Sequence, residues 1–86
     1  MEMLNQISLT WIHYPRSEIL AVTAGGLSHA QLRHYAVQSG FHDFQDGEGE
    51  PILIAARSSK SELVCILESA GYEINSTRTA IAREEI

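Results

Sequence analysis

A chain of 86 residues, 44% apolar and 20% charged, is sized for a single domain with one modest core and little stability to spare. No apolar run approaches the roughly 20 residues of a membrane-spanning helix. The start Met1-Glu2-Met3-Leu4-Asn5-Gln6 lacks the basic residues and cleavage site of a secretory signal, so a cytoplasmic, non-membrane protein is expected. The formal net charge of −5 argues against direct nucleic-acid binding, which needs clustered Lys and Arg.

In chain order, Ile7-Ser8-Leu9-Thr10-Trp11-Ile12-His13-Tyr14 alternates like a strand and meets a turn at Tyr14-Pro15-Arg16-Ser17. Ile19-Leu20-Ala21-Val22-Thr23-Ala24 is a short apolar run compatible with a buried strand or a helix. Ser28 to Gly40 reads as an amphipathic helix with Leu32, Tyr35, Ala36 and Ser39 on one stripe. An acidic, glycine-bearing segment, His42 to Glu50, leads to a second short apolar run, Ile52-Leu53-Ile54-Ala55-Ala56. Ser59 to Gly71 is then a second amphipathic helix, with Leu63, Val64, Ile66, Leu67 and Ala70 as its apolar stripe. Cys65 lies on that stripe, where a buried thiol is expected; as the only cysteine it has no disulfide partner within the chain.

The two helices correspond residue by residue: Gln31 with Glu62, Leu32 with Leu63, Tyr35 with Ile66, and Ser39-Gly40-Phe41 with Ala70-Gly71-Tyr72. Each opens on a serine with Gln or Glu three residues later, the capping-box spacing. Each closes on a glycine suited to a left-handed C-cap, followed by an aromatic. Repeat units fall at about 17–47 and 48–78, with a tail from 79 to 86.

From Pro51 to Asn75 the chain resembles one ankyrin repeat: Pro51-Ile52-Leu53-Ile54-Ala55-Ala56-Arg57, then Glu62-Leu63-Val64, Ile66-Leu67 and Ala70-Gly71-Tyr72-Glu73-Ile74-Asn75. Pro51 suits a first helical turn, and Ala55 and Ala56 let two helices approach closely. The resemblance implies an all-α fold, a short helical-hairpin solenoid of about two repeats plus a partial cap. In it, residues 19–24 and 52–56 are first helices, and Leu4, Ile7, Trp11 and Ile12 face the core from a capping helix. The alternative is an α+β fold in which residues 6 to 24 form a β-hairpin followed by a duplicated strand-helix unit, with 19–24 and 52–56 as parallel strands. Periodicity does not choose between them.

No catalytic constellation emerges, so a non-enzymatic protein is expected, with no metal or cofactor. His13, His29, His34 and His42 lack ligand spacing on one helix face. The segment from Asp43 to Glu50 lacks the glycine position and terminal bidentate Glu of a calcium loop. Gly25-Gly26 comes without a phosphate-binding motif. No serine sits in a nucleophile elbow.

What the resemblance implies instead is a protein-protein interaction module that binds its partner through a loop and a concave surface. The residues placed there are Phe44, Asp46, Glu48 and Glu50 on the loop, with Arg57 and Ser58 at the end of the neighbouring first helix. So short a solenoid also predicts self-association as a homo-oligomer. The alternative function is a small acidic inhibitor of the mobile-element or phage type, occupying the nucleic-acid site of a basic partner.

Overall fold

The computed structural model describes residues 5–45 and 48–83. It contains five strands and two helices: β1 (Asn5–His13), β2 (Ile19–Gly25), α1 (His29–Ala36), β3 (His42–Gln45), β4 (Pro51–Ala56), α2 (Lys60–Ser69) and β5 (Tyr72–Ile81). The strands form one sheet in the order β3-β4-β2-β1-β5. All neighbours are antiparallel except β1 and β5, which run parallel with a one-residue bulge at Asn75.

This corrects the all-α expectation: the chain is a mixed α/β domain, and the ankyrin-like solenoid is absent from it. The hairpin of the alternative reading is present as β1 and β2. The two apolar runs are strands, but β2 and β4 are antiparallel neighbours and not parallel ones. The duplication survives as two strand-helix-strand units, β2-α1-β3 and β4-α2-β5. β4 lies between the two strands of the first unit, while β2 and β1 lie between those of the second. Without β1 this is the split β-α-β arrangement; β1 is an added strand seated between β2 and β5.

Burial explains why these runs are strands. Leu20, Ala21 and Val22 are consecutive and all buried, because β2 is a central strand with the helices over Leu20 and Val22 and neighbouring side chains, Tyr14, Ile52 and Ile54, around Ala21 on the other face. Leu20 and Val22 join Ile7, Leu9, Trp11, Leu53 and Ala55 beneath Leu32, Ala36, Leu63 and Leu67 of the two helices. Both helices therefore lie on one face of the sheet. Ala21, Ile52 and Ile54 point to the other face and cluster with Tyr14, with Ile12, Ile19 and Ala82 packed against them. Ala55 is small because it sits under the helices, not because two helices cross there. Pro51 begins a strand, where its missing N–H is tolerated.

α1 starts as expected. The Ser28 hydroxyl accepts from the Gln31 backbone N–H at 3.1 Å, and the Gln31 side-chain oxygen accepts from the Ser28 N–H at 3.1 Å. The matching box at Ser59 is not formed: α2 is entered through a one-turn 3-10 helix, Arg57–Ser59, and Ser59 makes no side-chain cap. Gly40 and Gly71 both take positive φ, +98° and +99°, and the aromatic after Gly40, Phe41, is fully buried.

Candidate interaction surface at the edge strand β3

β3 is the outermost strand at one end of the sheet, and no further strand flanks it among the described residues. Its register sorts its side chains. Residues directly opposite on paired strands share a face, so His42 opposite Ile54 and Phe44 opposite Ile52 lie on the face without helices. Asp43, opposite Leu53, lies on the helix face.

Asp43 is consumed there by the fold. Its carboxylate accepts from Nε of Arg33 and stands 3.1 Å from Nε2 of His29, both on α1. The Arg33 hydrogen bond first, and His29 second, hold the Asp43 carboxyl below its ordinary range. The contact pins the edge strand to the first turns of α1.

Phe44 has no comparable commitment. It is 38% exposed, one of three large apolar side chains that are exposed among the described residues. On the same face it extends the buried pair Ile52 and Ile54 to the sheet edge. Glu48 and Glu50 are exposed in the β3–β4 connection and each makes an interaction of its own. Asp46 lies outside the described residues.

The structure separates the remaining two residues from this group. Arg57 and Ser58 follow the far end of β4 from Glu50, so the length of that strand intervenes. Arg57 donates from Nη2 to the Tyr14 carbonyl at 3.3 Å, and its backbone N–H to the Glu18 carbonyl at 2.9 Å. It fastens the β1–β2 turn. Ser58 lines a shallow groove with Lys60, Ser61, Val64 and Cys65. Without a solenoid, the concave surface of first helices has no counterpart here.

Cys65 is exposed on α2, not buried; the stripe is buried only through Leu63 and Leu67. Among the described residues no three His, Cys, Asp or Glu side chains are placed to hold a metal ion. The histidines are dispersed: His29 on Asp43, His34 edge-on to Tyr35 at 5.0 Å, His42 exposed on the uncovered face, His13 at the end of β1. No helix among the described residues is long and apolar enough to cross a membrane.

The sequence marks Phe44 as an aromatic in a polar segment, and the structure places it, exposed, on an edge strand. The alternation His42, Phe44 against Asp43, Gln45 was the available signal, in a strand too short to stand out from a polar loop.

Comparison with protein-family models, with curated proteins and with solved structures found no match. The ankyrin resemblance thus gains no support from relatives, and the helical architecture it implied is replaced by the sheet.

Proposed function

We propose that this chain is a non-catalytic protein-binding module whose docking surface is the β3 edge with the adjoining β3–β4 connection. The occupant is an extended, basic segment of a partner protein. It adds a strand outside β3, sets an apolar side chain against Phe44, and presents Lys or Arg to Glu48 and Glu50. The observation that carries the reading is the exposure of Phe44 on an edge strand, contiguous with the buried Ile52 and Ile54 on a face that no helix among the described residues covers. Strand addition supplies affinity through the backbone and leaves selectivity to alternate side chains, while acidic residues at the rim speed and orient the approach of a basic partner.

The test is a library of extended peptides with alternating basic and apolar residues, read by fluorescence anisotropy against the purified chain. The reading expects Phe44→Ala to remove binding by most of the selected peptides, and Glu48→Gln with Glu50→Gln to remove its salt dependence. Binding abolished by the two amides and indifferent to Phe44→Ala favours the second reading, an acidic protein occupying the nucleic-acid site of a basic partner, which rests on the net charge of −5. If no peptide binds, or if neither set of changes matters, the proposed surface is wrong.

A further inference from the structure

The opposite edge of the sheet is formed by β5, which at ten residues is the longest described strand. It pairs with β1 from Asn5↔Tyr72 to His13↔Ile81, and its outer row of backbone N–H and C=O groups faces no strand among the described residues. A long open edge of this kind is a template for another chain.

We propose that β5 pairs antiparallel with β5 of a second copy of this chain, about a two-fold axis passing between Asn75 and Ser76, so that two five-stranded sheets become one. The bulge sets the register. Before it, Tyr72 and Ile74 lie on the helix face and Glu73 on the other; after it, Thr77, Thr79 and Ile81 lie on the helix face and Ser76, Arg78 and Ala80 on the other. The alternation therefore changes phase once, at Asn75. Antiparallel pairing keeps every side chain opposite one on its own face only if the two bulges oppose each other. A slip in either direction leaves at least one pair out of phase.

That same register places Glu73 opposite Arg78 of the second copy, and Arg78 opposite its Glu73. Both lie on the face without helices, and the two-fold axis makes the pair twice, as an isologous interface requires. Arg78 has no ion-pair partner among the described residues. Glu73 already accepts from Nε2 of Gln6 at 2.9 Å, a bond that orients its carboxylate and leaves one oxygen for a guanidinium. Charged residues on an edge strand, especially Lys, commonly discourage pairing; here the two charges are opposite in sign and symmetric about the bulge, so in this register they attract. On the helix face Tyr72 meets Thr79 and Ile74 meets Thr77, and Ile81, 70% exposed in the single chain, lies just beyond the paired stretch.

Sedimentation equilibrium of the full chain, from low micromolar to sub-millimolar concentration, tests this. The expected species has twice the 9.5 kDa mass of the chain. Glu73→Lys and Arg78→Glu, each alone, put like charges opposite one another twice and should weaken dimerisation roughly tenfold or more, while the double reversal restores it. Arg78→Glu touches no described partner within the chain, so its effect is read even where Glu73→Lys disturbs the fold through Gln6. Circular dichroism verifies that the variants are folded. A chain that stays at 9.5 kDa throughout, a dimer indifferent to Arg78→Glu, or a folded double reversal that fails to restore the dimer overturns the proposal.

Discussion

Nη2 of Arg57 donates to the backbone carbonyl of Tyr14 at 3.3 Å, tying the turn that enters α2 to the turn that leaves β1. A hydrogen bond from a charged donor typically contributes a little more than a neutral one. Arg57→Ala should therefore destabilise the fold by about 1–2 kcal/mol, visible as a lower midpoint in urea with an unchanged slope. Arg57 lies away from the β3 edge, so the same variant should bind the selected peptides as the parent does. Lost binding at full stability would return Arg57 to the docking surface.

Asp43 predicts a specific acid limb. Its folded-state pKa lies below the value of about 3.9 expected in the unfolded chain, because Arg33 and His29 favour the carboxylate. The native state thus holds this proton less tightly. The stabilisation is complete above the unfolded pKa and is lost as pH falls through the folded one. Stability measured by denaturant from pH 5 downward should fall less steeply in Asp43→Asn than in the parent, and both Arg33→Gln and His29→Gln should move the parent's curve towards the variant's. Parallel acid limbs would show that the cluster is not formed in solution.

Tyr72 makes the opposite kind of prediction. Its phenol is raised above its ordinary value, chiefly by a hydrogen bond with Tyr35, whose ring stands edge-on to it at a centroid distance of 5.7 Å. Ultraviolet titration should find one tyrosine ionising later than the ordinary value of about 10, and Tyr35→Phe should bring it back down. A titration unmoved by that change would place the two hydroxyls apart. The pair joins α1 to the start of β5, so it also reports whether that strand is seated.

Helices were more legible than strands in this sequence, for a reason visible in particular residues. Leu32 and Ala36, and Leu63 and Leu67, are buried at a spacing of one helical turn, so the period identified both helices with their glycine ends. β2 buries Leu20, Ala21 and Val22 in succession, and β4 buries Ile52 through Ala55. A strand covered on both faces loses its alternation and reads like any short apolar run. A proline, two alanines and a downstream glycine then matched a helical hairpin, although Pro51, Ala55 and Ala56 stand in β4 and only the glycine follows a helix. The candidate surface was half legible: Phe44 stood out as an aromatic among polar residues, whereas the divergence of Asp43 from Glu48 and Glu50 depends on strand register, which no local pattern encodes.

Gly26 and Gly71 have nearly the same backbone, φ +93° and +99°, in different surroundings. A Cβ on Gly71 would meet nothing within 4 Å, whereas one on Gly26 would come within 2.9 Å of the Gln6 carbonyl oxygen. Gly71→Ala should therefore cost only the left-handed conformation, about 1–2 kcal/mol. Gly26→Ala should cost more, because β1 must also move from the position that sets its pairing with β5. Denaturation midpoints of the two variants check the difference, and equal losses would mean that the turn after β2 relaxes freely. If β5 pairs across a two-fold axis, Gly26→Ala should weaken self-association as well, while Gly71→Ala should leave it nearer to the parent's.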